Sequence, residues 1–281
     1  MNELQALLLG VVQGLTEFLP ISSSGHLILV PWLLDFHYLE QHPDFNKTFD
    51  VALHAGTLAA VVVYFRTDLT AYARGFARTL HTRRVESEDE RMAWLIAIAT
   101  LPAATIGAAA ESTIEDRLGQ PWQIAILLAV FGLVLGLADR LPERRQMTGL
   151  GWRGALAIGI AQAVALAPGT SRSGITITAA RVLGLTREAA AQFSLLLLAP
   201  ITFGAVVFKG VDLAVTGVPA GVAGPFVVGI LAAAASGFAA IWWMLRYLKT
   251  HNYDIFVIYR VTIALVVVGL IATGIQPATF D

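Results

Sequence analysis

Six stretches of this chain, approximately 49–65, 92–110, 122–138, 190–208, 225–245 and 255–275, are apolar and close to membrane-spanning length. About 17 to 25 helical residues cross the roughly 30 Å of hydrocarbon in a bilayer, so each stretch can span. Few folds accept such segments, because without water only helices and closed barrels satisfy every backbone N–H and C=O. Composition agrees, with 56% of the 281 residues hydrophobic and 14% charged, against roughly 25% charged in soluble domains. No polar linker separates two cores, and a single membrane domain over 1–281 is expected. The absence of cysteine excludes disulfides, thiolate catalysis and cysteine metal sites. Met1 to Leu9 carries neither a basic start nor a small-residue cleavage signature, so it reads as structure rather than as a signal peptide.

Two further regions, 4–34 and 152–184, are apolar at both ends but interrupted by FLPISSSGH and APGTSRSG. Proline and glycine break helices there, and neither half is long enough to span. Non-helical backbone survives at membrane depth only where protein or a water-filled cavity satisfies it. Each region therefore reads as a re-entrant helix pair with its tip in the interior, giving an all-α integral membrane fold of six transmembrane helices plus two re-entrant pairs.

Loop charge supplies an independent test, because cytoplasmic loops are enriched in Lys and Arg. Arg66, Arg74, Arg78, Arg83, Arg84 and Arg91 fall in one connection, Arg140, Arg144, Arg145 and Arg153 in a second, and Arg246 and Lys249 in a third. The segments 35–48, 111–121 and 209–224 hold one basic residue each. Counting spans puts the three basic connections on one side and both termini outside.

The broken regions also resemble each other. At an offset of 149 residues Gly10, Gln13, Ser22, Ser24 and Gly25 match Gly159, Gln162, Ser171, Ser173 and Gly174. Phe49, Ala55, Val62 and Val63 match Phe193, Ala199, Val206 and Val207 at an offset of 144. Three spans lie between the copies, so the second enters from the opposite face. An inverted-topology repeat is expected, repeat 1 over about 1–110 and repeat 2 over about 150–245. In such folds broken helices meet near the midplane and aim positive dipole ends at anionic ligands.

The tips hold the candidate chemistry. Gln13 and Glu17 share a helix face one turn before Pro20, and an intramembrane carboxylate beside a polar break is a functional candidate by default. Its bland alternative is a helix-end carboxylate facing water. Ser22, Ser23, Ser24 and His26 follow; serines alone would signal only capping, but with Glu17 they add a nucleophile, acid/base groups and an anion cradle. A structural role for His26 is the competing reading. On the other tip Gly169 and Gly174 flank Ser171, Arg172 and Ser173, with Thr176 one turn on. Arginine is costly in lipid unless it meets an anion, and its planar fork suits phosphate oxygens; the alternative is an Arg172–Glu17 ion pair kept for structure. His54 and Asp50 open the span 49–65 and could line the cavity, but a polar group at a helix end is more often satisfied locally, which is the expectation here. Arg181 and Arg260 are expected to snorkel to an interface, and Trp242, Trp243 and Tyr247 to form an interfacial belt.

At these residues the chain resembles the undecaprenyl-diphosphate phosphatase family of bacterial, bacitracin-resistance type. The signatures are Gln13-Gly-Leu-Thr-Glu17, Pro20-Ile-Ser-Ser-Ser-Gly-His26 and Pro168-Gly-Thr-Ser-Arg-Ser-Gly-Ile-Thr176, and the likeness covers nearly the whole chain. It implies hydrolysis of the C55 isoprenyl diphosphate to the monophosphate and inorganic phosphate, recycling the lipid carrier for peptidoglycan and other envelope polymers. It further implies bacitracin resistance, because that antibiotic sequesters the substrate. Glu17, Ser23, His26 and Arg172 become the expected catalytic residues, and Ser22, Ser24, Ser171, Ser173, Thr176 and Gly169 the expected substrate contacts. The family admits Glu or Gln at position 13, so Gln13 is no obligatory base. Its dependence on a divalent cation fits Gln13 and Glu17 as oxygen ligands to Mg²⁺ or Ca²⁺. Ser23 is the first choice for the nucleophile, with Glu17 as base or metal ligand and His26 protonating the leaving phosphate or positioning the nucleophile; direct attack by His26 is the rival.

The expected partners are the isoprenyl diphosphate and membrane lipid, with a homodimer allowed for and no nucleic acid. The expected location is the bacterial inner membrane, with the site open to the periplasmic face. A lipid flippase or transporter is the main functional alternative, since paired broken helices are a transporter architecture; a purely structural scaffold is a third reading.

Overall fold

Capping residues account for where several helices begin. Asn2 accepts from the backbone N–H of Gln5 and Ser87 from that of Glu90, each in a capping box, while Pro121 opens its helix where a missing N–H costs nothing. A computed structural model describes residues 1–36, 39, 42–216 and 223–280, and no extended strand occurs among them. In chain order the helices are α1 (Glu3–Phe18), α2 (Ser23–Leu33), α3 (Pro43–Tyr64), α4 (Arg66–Thr82), α5 (Glu88–Arg117) and α6 (Pro121–Asp139). They continue with α7 (Trp152–Ala163), α8 (Arg172–Val182), α9 (Arg187–Thr216), α10 (Ala223–Tyr247) and α11 (Asp254–Ala272).

Glu88–Ala109 of α5, Arg187–Phe208 of α9, and the whole of α6, α10 and α11 are long and apolar enough to cross a membrane. The expected span 49–65 lies in α3, which meets that test only together with α4, from which it is bent by 86°. Lys47, Asp50 and His54 make the first half of α3 too polar to qualify alone. Reading 66–91 as a plain connection needs correction, because most of it is the amphipathic helix α4, ended by Arg83 in a left-handed conformation (φ 55°). The helices α5 and α9 also run on into the segments read as connections from 111 and 209, and 217–222 lie outside the described residues.

Both interrupted regions are broken helices. At 1.5 Å per residue, α1 and α7 reach only about 24 and 18 Å and α2 and α8 about 16 Å, so none spans alone. Backbones approach closely where α1 meets α10 and α7 meets α5. A Cβ on Gly10 would stand 2.5 Å from the Gly229 carbonyl oxygen, and one on Gly159 2.5 Å from that of Ala99. Close approach at small residues is how membrane helices gain contact when lipid supplies no hydrophobic drive. Gly159→Val therefore forces α7 and α5 apart. Overpacking costs about 1–3 kcal/mol, so the melting midpoint in detergent is expected to fall by roughly 5 °C; an unchanged midpoint would contradict the close packing.

The basic connections lie together, the third reaching the end of α6 where the Tyr253 N–H donates to Asp139 Oδ2 at 3.0 Å. Arg91 donates to the carbonyls of Thr148 (2.5 Å) and Leu150 (2.6 Å), Arg145 bridges Leu185, and Arg187 pairs with Asp139 at 2.7 Å and Glu143 at 3.0 Å. Arg181 does not snorkel as expected: it is 0% exposed, pairs with Asp139 at 3.5 Å and donates to the carbonyls of Leu185, Asp139 and Leu141. Its reach is spent on the free C-terminal carbonyls of α6 and the turn after α8, which a guanidinium satisfies several at a time. At the other end of the molecule Trp32 donates to the Pro277 carbonyl and the Phe280 N–H to Gln120.

Candidate active site at the two broken helices

Each break ends in the same local device. Ser22 and Ser171 are the N-caps of α2 and α8, with φ of 77° and 75°. Such a conformation is strained for a residue with a Cβ, by about 1–3 kcal/mol. Their hydroxyls accept from the N–H of Gly25 (3.3 Å) and Gly174 (3.0 Å), and each pairs with the serine two positions on, Ser22 with Ser24 at 3.4 Å and Ser171 with Ser173 at 3.3 Å. Two helix N-termini, with their positive dipole ends and free N–H groups, thereby point into one region, a suitable cradle for an anion.

The tips meet. Ser173 donates across to the Leu19 carbonyl at 3.0 Å, and Arg172 Nη2 donates to Glu17 Oε1 at 3.1 Å. Glu17, only 6% exposed, gathers the rest: Oε2 accepts from Ser23 Oγ at 2.5 Å and from Gln13 Nε2 at 3.2 Å. A hydroxyl in short contact with a buried carboxylate is the arrangement that activates an oxygen nucleophile. Among the described residues the buried side-chain atoms without hydrogen-bond partners are Gln13 Oε1, Arg172 Nη1 and Thr170 Oγ1 here, both amide atoms of Gln162 on α7, and Arg181 Nε. Orphans of this kind are rare, and three on the facing tips mark a place for a polar ligand.

His26 makes its hydrogen bonds outside the Glu17, Ser23 and Arg172 set. Its Nδ1 lies 2.7 Å from the Ser22 carbonyl and its Nε2 2.8 Å from the Tyr259 hydroxyl of α11, with the rings stacked at 5.6 Å. Thr176 is turned into its own helix, donating to the Arg172 carbonyl and pairing with Ser194 at 2.7 Å. Gly169 holds a left-handed φ of 99° that favours glycine, and Ser24 is exposed.

Arg260 does not snorkel either, being 0% exposed. It donates to Pro20 (3.2 Å) on the first tip, to Gly169 (3.0 Å) and Thr170 (2.9 Å) on the second, and to Leu127 (3.3 Å) and Leu128 (3.0 Å) of α6. Breaking a helix frees carbonyls, and one guanidinium takes up those of both tips. An arginine inside a span is itself a functional signal, and that signal was available at Arg260. His54, read as locally satisfied, does donate from Nδ1 to the Asp50 carbonyl, yet its Nε2 stands 3.9 Å from Glu17 Oε2.

A hard cation would find two oxygens here, the Glu17 carboxylate and the orphaned Gln13 Oε1. No group of three or more His, Cys, Asp or Glu side chains suited to a metal occurs among the described residues. The pair fits a Mg²⁺ or Ca²⁺ shell completed by substrate oxygens and water. A groove of about 550 Å³ between α6 and α11 is lined by Leu133, Leu137, Val257, Ile258, Arg140 and Asp254, and its carboxylate is paired with Arg140 at 3.5 Å.

Comparison with known proteins agrees over almost the full length. The family model described as bacitracin resistance protein BacA matches residues 6–266. The undecaprenyl-diphosphatase of Pelobacter propionicus is 43% identical over 278 residues, 98% of this chain and 100% of that protein. That of Geobacter sulfurreducens is 47% identical over 262 residues, 92% and 95% of the two chains, and that of Rubrobacter xylanophilus 44% identical over 270 residues, 95% and 98%.

Proposed function

This chain belongs to the family of bacitracin resistance protein BacA, and from that premise we propose how its two broken helices divide the reaction. It is an undecaprenyl-diphosphatase, a multi-pass membrane hydrolase that converts undecaprenyl diphosphate to undecaprenyl phosphate and inorganic phosphate. The lipid carrier for envelope synthesis is recycled, and bacitracin resistance follows from removal of the diphosphate. The reading of a transporter without chemistry gives way to an enzyme.

The contact that carries the mechanism is Ser23 Oγ at 2.5 Å from Glu17 Oε2. Glu17 takes the hydroxyl proton as Oγ attacks the terminal phosphorus, the bond to the bridging oxygen breaks, and undecaprenyl phosphate leaves. Water then hydrolyses the phosphoserine and releases inorganic phosphate. Arg172, whose Nη1 has no partner among the described residues, and the N-termini of α2 and α8 offset charge on the transferred group, as preorganised donors do in phosphoryl transfer. The backbone and hydroxyls of Ser22, Ser24, Ser171, Ser173, Thr176 and Gly169 form or brace this cradle. Gln13 and Glu17 would hold the divalent cation, which when bound would neutralise phosphate charge.

The same reading covers the architecture: six spans, the first of them α3 with the amphipathic α4 bent away by 86° at its end, two re-entrant pairs, and an inverted repeat. It is supported by the matched N-caps Ser22 and Ser171 and by the exchanged packing, Gly10 on α10 and Gly159 on α5. Contact among the basic connections supports their common, cytoplasmic side, with the site open to the periplasmic face of the inner membrane.

Ser23→Ala is expected to lower phosphate release in detergent by roughly 100-fold to 1,000-fold, the remainder coming from water activated by Glu17 in an intact cradle. Near-native release from this variant would rule out serine attack.

A further inference from the structure

Both ring nitrogens of His26 are engaged. A carbonyl can only accept, so the 2.7 Å contact with Ser22 places the proton on Nδ1, and in the neutral ring Nε2 then accepts from the Tyr259 hydroxyl at 2.8 Å. The residue that receives the Nδ1 proton is the strained one, Ser22 with φ 77°, directly before Ser23. His26 is 5% exposed and Tyr259 38%, so the phenol reaches the buried imidazole from the rim.

We propose that Tyr259 is a positioning residue: its hydroxyl fixes the ring of His26, which holds the Ser22 carbonyl and so the turn that presents Ser23 to Glu17. The chain of contacts runs Tyr259 to His26 Nε2, His26 Nδ1 to Ser22, then one residue along to the oxygen 2.5 Å from the carboxylate. An imidazole held by a hydrogen bond at each nitrogen and stacked on the phenol has one orientation. Neither nitrogen has a free lone pair with which to attack phosphorus, so His26 orients and does not bond to phosphate. The proposal rests on Ser23 being the nucleophile.

Tyr259→Phe keeps the stacked ring and removes one O–H. In detergent, kcat is expected to fall about tenfold with KM within twofold of native and an unchanged melting midpoint. In ¹⁵N-histidine spectra the resonances missing from His26→Gln identify His26, and in Tyr259→Phe its unprotonated nitrogen should move downfield, toward that of a nitrogen accepting no hydrogen bond. Native kcat with an unmoved nitrogen would overturn the proposal, as would a lowered midpoint that accounts for the lost activity. Trapping of phosphate on histidine during turnover would also overturn it. High turnover in Ser23→Ala would remove the serine reading separately, because the Tyr259-dependent nitrogen shift would remain.

Discussion

Arg172→Ala should lower phosphate release from the lipid diphosphate by about four orders of magnitude, a loss in the range that arginines bearing on a transferring phosphoryl group supply. Two effects combine. The guanidinium offers the diphosphate an Nη1 that has no partner among the described residues, and its Nη2 lies 3.1 Å from Glu17 Oε1. Without it the cradle loses the guanidinium that faces Glu17, and Glu17 is left with its hydrogen bonds from Ser23 and Gln13 and with His54 Nε2 at 3.9 Å. With Nη2 gone, Oε1 loses its hold from the second tip and the carboxylate can turn from the Ser23 hydroxyl it must deprotonate. Arg172→Lys retains a charge but not the planar fork, so partial activity, some 100-fold below native, is expected. Release of inorganic phosphate from purified protein in micelles measures both variants. If Arg172→Ala kept a tenth of native activity, the ion pair with Glu17 would be a structural contact only.

The tips were legible in the sequence because their composition has no other explanation. Pro20, the serines at 22 to 24 and the glycines around Arg172 interrupt apolar runs where broken backbone must be answered by protein. The meeting of the tips followed from counting spans, and Arg172 with Glu17 is where that meeting is seen. Residues whose partners lie far along the chain were not legible. Whether an arginine in a span reaches water or is sealed by carbonyls depends on contacts such as Arg260 with Pro20, 240 positions away. The same holds for His26 with Tyr259, 233 positions apart. The helix α4 was missed for another reason: a row of arginines among small and apolar residues suits an interfacial helix as well as a loop, and the sharp bend after Tyr64 follows from packing.

Arg260→Met should cost both fold and function. The five carbonyls that Arg260 serves come from three segments that touch through this side chain. Each carbonyl left buried and unpaired costs about 1–3 kcal/mol, though relaxation and water recover part of that sum, and a net loss of about 3–5 kcal/mol matches the removal of one member of a buried charged network. Measured against a typical stability of roughly 5–15 kcal/mol, this is a large share. The melting midpoint in detergent should drop by roughly 10 °C, with activity in the surviving folded protein below about one hundredth of native because the Pro20 and Gly169–Thr170 loops are no longer held together. Arg260→Lys separates the two contributions. An ammonium keeps the charge but has three donors on one atom, so it can serve one tip and not both; it should recover more stability than activity. If Arg260→Lys recovered full activity, the charge alone would matter and the bridge between the tips would not. If Arg260→Met melted and turned over like the native protein, the tips would be held by Arg172 and Ser173 without help from α11.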